Sequence, residues 1–190
     1  FPMKIIILGA GRVGESVAES LLSEKNDITV IDTDGVRLRD LEGRFDLRGV
    51  VGNGISPDVL ADAGAADADM LIACASQDET NLVCCKVAQV VFNIPTRIVR
   101  VRSVPLKSNE GLLCEAGFGV THAFCPEEAL MSYIGKLVEY PEALQVRQFA
   151  QGSAALASVR ARGGAPVVGL SIGDVRQHLP HVAMRVVGLY

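Results

Sequence analysis

"KIIILGAGRVGESVAESLL", residues 4–22, starts as an apolar run at Ile5–Leu8, passes glycines at 9, 11 and 14, and continues with apolar residues at helical spacing. The run reads as a buried strand and the continuation as a helix over Val13–Ser23, with the glycines forming a tight turn between them. A strand entering a helix through such a turn is the first half of a βαβ unit. The same alternation recurs. Strands are expected at Ile28–Ile31, Gly49–Val51, Met70–Cys74, Ile98–Val101 and Thr121–Phe124. Helices are expected at Val36–Arg44, Pro57–Ala63, Asn81–Val91 and Asn109–Ala116. The continuous Val/Ile/Leu character of these strands fits burial on both faces, so the fold class is α/β with a doubly wound parallel sheet.

Capping chemistry supports two of the helix starts. Ser56 precedes a proline at a first helical position, and Asp78 is placed to cap the helix that runs through Asn81. A further helix starts at Pro126 and aligns Ala129, Leu130, Ile134, Leu137 and Val138 in one apolar stripe. "EYPEA" then marks a domain edge, which gives a first domain of residues 1–140 and a second of residues 141–190. In the second, Gln145–Phe149, Ala155–Ala161 and Val182–Leu189 read as strands around one short helix, a small α+β unit. Phe1 and Pro2 read as additions ahead of a natural start at Met3. The final strand pattern reads as unfinished, as in a fragment.

The 190 residues carry a net charge of -4, and the pI is near 5.4. No Lys/Arg cluster supplies the basic field that nucleic acid or an anionic membrane needs, so nucleic acid is not an expected partner. The chain is 49% hydrophobic with a mean hydropathy of +0.30, yet no apolar run approaches the roughly 18 residues of a membrane span. The excess points to buried interfaces between subunits. Cys74, Cys84, Cys85, Cys114 and Cys125 show no C-x-x-C spacing, which favours reduced cytosolic thiols over a metal or redox site. No secretory signal is recognisable.

"GAGRVG" is a G-x-G-x-x-G fingerprint after a strand and at a helix start, the context that gives it meaning in a Rossmann-like fold. Gly9 allows the tight turn, Gly11 lets backbone amides approach a pyrophosphate, and Gly14 permits close helix–strand packing. The helix N-terminus then offers N–H groups and a positive dipole end to the anion. About twenty residues on, the second strand ends at Asp32, whose carboxylate can accept the hydroxyls of an adenosine ribose and would repel a 2′-phosphate. NAD is therefore favoured over NADP. Arg12 is either a charge beside the phosphates or a solvated surface residue. Asn53, in "VGNG", either bonds an adenine or its ribose, or belongs to a turn made by Gly52 and Gly54. Ala75 and Ser76 fall at the carboxyl end of the sheet, where small residues leave room. Arg100 either reaches a phosphate or pairs with Asp78 or Glu79.

The runs "MKIIILGAGRVGESVAESLL…ITVIDTD" and "VVGNGISPDVLADAGAADADMLIACASQDETNLVCCKVA" resemble the RCK, or KTN, domains that regulate K⁺ conductance, of the type found in bacterial Trk potassium uptake. The resemblance covers nearly the whole chain. It makes the first 140 residues the nucleotide-binding lobe and likens the remainder to the RCK C-terminal subdomain. Trk subunits of this type carry two such lobe pairs in tandem, and the chain resembles the first. The resemblance implies ligand contacts at Gly9, Ala10, Gly11, Arg12 and Val13, a ribose acid at Asp32, a crevice-side pair at Ala75 and Ser76, and a ligand arginine at Arg100. Some relatives carry aspartate where this chain has Asn53. It also implies NAD(H) as ligand, with ATP or ADP as further candidates. The implied assembly is a homo-oligomer, a dimer or ring of dimers in which the helix Pro126–Val138 crosses to the partner. The implied setting is cytoplasmic, at the inner face of the membrane beside a potassium channel or transporter subunit.

An oxidoreductase would need a proton donor or acceptor beside the nicotinamide. His122, His178 and His181 fall in the last strand of the first lobe and in the tail, and no Tyr-x-x-x-Lys pair occurs. A regulatory binding module is therefore expected rather than an enzyme. An NAD-dependent oxidoreductase and the cytosolic domain of a K⁺/H⁺ antiporter stand as alternatives.

Overall fold

The structure, a computed structural model, describes residues 2–22, 24–139, 143–149, 153–165, 167–178 and 184–189. It divides into two compact units, residues 1–129 and 130–190, and the division runs within one helix.

In the first unit, strands and helices alternate: β1 (Lys4–Leu8), α1 (Arg12–Leu22), β2 (Asp27–Asp32), α2 (Gly35–Arg44), β3 (Arg48–Val51), α3 (Pro57–Asp62), β4 (Met70–Ala73), α4 (Asp78–Val90) and β5 (Thr96–Arg100). The short helices α5 (Val104–Lys107) and α6 (Glu110–Leu113) lead to β6 (His122–Phe124), and α7 (Pro126–Glu139) starts at the unit's edge. The strands form one sheet in the order β3-β2-β1-β4-β5-β6, with every pair parallel. That order reverses direction between β1 and β4, which opens a crevice beyond the carboxyl ends of those two strands.

Because successive strand residues point to opposite faces, β1 feeds two cores at once. Ile5 and Ile7 pack with Ile28, Val30, Leu38 and Leu41, while Ile6 and Leu8 pack with Leu60, Leu71, Leu82 and Val99. Helices cover both faces, which is why the strands lack a polar alternation. α2 is started by Asp34, whose Oδ1 accepts from the amides of Val36 and Arg37 at 2.9 and 3.3 Å. No helix among the described residues is long and apolar enough to cross a membrane.

Three local expectations need correction, and one short helix was not expected. α4 starts at Asp78, and its N-cap position is held by Gln77 without a side-chain bond. Asp78 is not a cap because its carboxylate is engaged by amides beyond β5, described below. Ser56 stands at the N-cap of α3 without capping it. Its own amide is tied to the Asn53 carbonyl at 2.9 Å. The helix expected at Asn109–Ala116 is only the turn α6, because the chain folds back: Phe118 N–H donates to Leu112 O at 2.7 Å and Gly119 N–H to Cys114 O at 2.9 Å. α5 was not foreseen; its proline lies in the first turn, where no amide is required.

In the second unit, β7 (Ala143–Phe149) and β8 (Ala154–Val159) form an antiparallel pair, and α8 (Ile172–His178) follows. Val146 and Val175 are buried. The strand expected at Val182–Leu189 does not form over residues 184–189. A strand exists only through a paired neighbour, and among the described residues this segment pairs with neither β7 nor β8. Val182 and Ala183 lie outside the described residues, as does His181.

Candidate functional site

The glycine turn lies between β1 and α1 at the switch point. Gly9 has φ +105, and a Cβ on it would approach Ala75 N to 2.9 Å. Its amide donates to Ile31 O at 2.8 Å, tying the turn to β2. A Cβ on Gly14 would lie 1.8 Å from Gly9 O, so α1 can approach the turn only with glycine there. A Cβ on Gly11, in contrast, would meet nothing within 4 Å. That glycine faces open space, as a turn that admits a bulky anion requires. Val13 is half-buried against the α1–α2 side of the core, and Arg12 opens α1 with its side chain exposed.

Asp32 ends β2 beside this turn. Its Oδ2 accepts from Ala10 N–H at 2.6 Å and its Oδ1 from Asp34 N–H at 2.8 Å. The Ala10 amide is therefore spent on the carboxylate and not on a phosphate. Each carboxylate oxygen keeps a further acceptor position, so Asp32 can fix the turn and still receive two hydroxyls. Asn53 uses its side-chain oxygen for the Ile55 amide at 3.2 Å. The glycines beside it are required by contact: a Cβ on Gly54 would lie 2.3 Å from Leu8 Cδ1, and one on Gly52 2.7 Å from Val59 Cγ2. Turn geometry therefore accounts for "VGNG" without a ligand, and Asn53 is exposed.

Ala75 and Ser76 leave β4 at the opposite wall, half-buried and exposed respectively. They are organised by Asn81, a fully buried residue at 0% exposure whose role sequence reasoning missed. Asn81 Oδ1 accepts from Ala75 N–H at 2.8 Å, and its Nδ2 donates to Ala75 O at 3.0 Å and Arg100 O at 3.1 Å. One amide thus staples the ends of β4 and β5. A signal was available: Asn81 precedes the buried Cys84, Cys85 and Ala88 of α4 at spacings of three, four and seven. A polar residue on the apolar stripe of a helix needs buried partners. Asp78 does related work, accepting from Arg102 N–H at 2.9 Å and Ser103 N–H at 2.8 Å.

Arg100 makes neither of the carboxylate pairs expected of it. Asp78 is occupied by those amides and lies near Arg102, whose Nε stands 3.9 Å from Asp78 Oδ1 and whose guanidinium also donates to Ser76 O. Arg100 instead donates through Nη2 to Glu127, in the first turn of α7. Its side chain is only 12% exposed, and its Nε is buried without a hydrogen-bond partner. Glu127's carboxyl is held below the ordinary carboxylate range by its own amide at the helix start and by the Arg100 guanidinium.

Cys74 lies beneath the turn; a Cβ on Gly14 would approach its Sγ to 3.4 Å. Burial pushes its thiol up to about 12 against the opposing pull of Arg100, and Asp32 adds to the rise. Cys84 and Cys85 are raised by burial as well, to about 12 and about 11. Such thiols are poor nucleophiles. All five cysteines are free, and the described residues hold no group of three or more metal-ligating side chains.

A strand–glycine turn–helix with its acid at the end of β2, built on this sheet order, is matched by the TrkA-N domain over residues 5–126. The chain belongs to the TrkA-N domain family. The TrkA-N match ends at the first residue of α7, so it comprises the sheet and crevice just described. The Trk system potassium uptake protein TrkA of Vibrio alginolyticus is 47% identical over 189 residues, covering 99% of this chain and 41% of that protein. That of Halomonas elongata is 46% identical over 188 residues, again covering 99% and 41%. The chain therefore spans 41% of the length of these relatives, which are named for an uptake system and not for a catalysed reaction. Among solved structures, the GsuK channel bound to NAD superposes with a TM-score of 0.66 at 20% identity, covering 93% of this chain and 31% of that one. At that identity the likeness concerns the fold.

Proposed function

We propose that the TrkA-N crevice binds NAD(H) through its adenosine diphosphate part, with ADP and ATP as competing ligands. In this reading the chain acts within a cytoplasmic regulatory subunit at the inner face of the membrane that gates a potassium-uptake channel. The observation that carries it is the coupling of the glycine turn to its acid: Asp32 organises the turn through Ala10 N–H at 2.6 Å, while Gly11 opens on free space. The turn and the start of α1 receive a diphosphate, Asp32 receives the ribose hydroxyls, and Ala75 and Ser76 line the opposite wall. Arg12, Asn53 and Arg100 are the side chains we assign to the ligand's polar groups. The names of the Vibrio alginolyticus and Halomonas elongata relatives, Trk system potassium uptake proteins, support a potassium-uptake setting, and the channel is the partner proposed.

Regulation then follows from linkage. A ligand shifts an equilibrium only by its unequal affinity for two arrangements. The assembly proposed is a homo-oligomer through α7, whose Leu130, Met131, Ile134 and Val138 are exposed at 58%, 68%, 44% and 75%. The test is calorimetric titration of the purified chain with NADH, NAD, ATP and ADP, followed by incubation with NADH and carbonyl compounds while nicotinamide absorbance is recorded. Binding without oxidation is expected. Asp32→Ala should weaken NADH and ADP by about tenfold or more, the order of a lost charge-assisted hydrogen bond. Undiminished affinity in that variant, or substrate-dependent oxidation by the unaltered chain, overturns the proposal.

A further inference from the structure

The carboxylate of Glu127, at the start of α7, is paired with the guanidinium of Arg100, at the end of β5. Arg100 ends β5 beside the crevice wall, because the Asn81 amide that bonds the Ala75 carbonyl at 3.0 Å also bonds the Arg100 carbonyl. Its backbone is stapled by Asn81 at 3.1 Å, so the guanidinium leaves β5 from a fixed origin. One end of it is taken by Glu127, while Nε stays buried and unpartnered. A buried donor left unmade is costly, and the arrangement is improved by any anion that satisfies it. Glu127 is itself 53% exposed, so it can exchange Arg100 for water at little cost. The neighbouring Glu128 is held by Lys107 of α5, so Glu127 is the residue of this turn that ties it to the end of β5.

Resting on the nucleotide-binding reading above, we propose that Glu127 competes with the phosphates of the crevice ligand for Arg100. Ligand binding then releases the first turn of α7 from the end of β5. Glu127 is in this sense an internal anion that sets both the affinity threshold of the crevice and the tension on α7. It makes α7, the helix at which the sheet-bearing unit ends, the element that reports occupancy.

The test uses Glu127→Gln in the full chain, titrated with ADP and with adenosine, alongside hydrogen exchange at the Ala129 amide, which donates to Cys125 O at 3.1 Å. Removing the competitor should tighten ADP by roughly fivefold, the scale of a half-exposed ion pair to a buried guanidinium, and leave adenosine unchanged. In the unaltered chain ADP should accelerate exchange at Ala129, and in the variant exchange should be fast already and insensitive to ADP. Equal tightening of adenosine, unchanged or weakened ADP binding, or exchange at Ala129 that ignores ADP in the unaltered chain overturns the competition. If the unaltered chain binds neither ADP nor NADH, it is the nucleotide-binding reading that falls instead.

Discussion

Asn81→Leu removes the amide that joins β4 to β5 while nearly conserving side-chain volume. Three backbone groups lose their partner: the Ala75 amide at 2.8 Å, the Ala75 carbonyl at 3.0 Å and the Arg100 carbonyl at 3.1 Å. Leucine leaves no space for a replacing water, since Asn81 is 0% exposed. An unsatisfied buried backbone group costs about 1–3 kcal/mol. Ala75 and Arg100 are only half-buried, so the low end applies to each, and the sum is about 3 kcal/mol. Against a total stability of roughly 5–15 kcal/mol this is a large fraction. For a chain of this size it lowers the melting temperature by about 6–12 °C. Calorimetric melting of the variant beside the unaltered chain measures it, with Asn81→Asp as a second variant that keeps the acceptor and loses both donated bonds. A leucine variant that melts within about 2 °C of the parent would show that the staple carries little energy and refute the assignment.

Gly14→Ala should destabilise by roughly 2–4 kcal/mol and weaken ADP binding together, because its Cβ would lie 1.8 Å from Gly9 O and backbone must move apart; urea unfolding and titration check it. The buried thiols predict an alkaline limb of stability. Cys74 and Cys84 rise from an ordinary 9.0 to about 12 in the folded chain, so the unfolded chain releases their protons first. Stability is fully present below pH 9 and declines between 9 and about 12 as those protons leave the unfolded state. Urea midpoints at neutral and alkaline pH read this, and serine at both positions should flatten the slope.

The sheet was legible because its determinants are local. Continuous Val/Ile/Leu runs specify strands buried on both faces, and G-x-G-x-x-G with Asp32 specifies where the chain turns and which acid stands beside the turn. The same stretch fixes the strand order only through the rule that crossovers are right-handed and sequential neighbours pair. What was not legible depends on tertiary pairing of polar side chains. Asp78 has the sequence context of a helix cap, yet Arg102 and Ser103 amides arrive from 24 and 25 residues away and claim it. Arg100 had Asp78 as a candidate partner, but Asp78 is engaged by the Arg102 and Ser103 amides, and Glu127 at a separation of 27 took the guanidinium. A periodicity records which face of an element is apolar. It does not record which of several acids will reach a cation first.

These long-range pairs converge on the end of β5, and that convergence links stability to response. Asn81 fixes the Arg100 carbonyl, so it sets the position from which the guanidinium departs; Glu127 then competes for the other end of the same residue. A variant at Asn81 should therefore lose more than folding free energy. With Arg100 no longer anchored, the guanidinium can follow Glu127 as the ligand approaches, and occupancy of the crevice no longer forces the first turn of α7 to release. Under the competition proposed above, stability and signalling should fail together at Asn81 and separate at Glu127, where the fold is preserved and only the exchange of anions on Arg100 is altered.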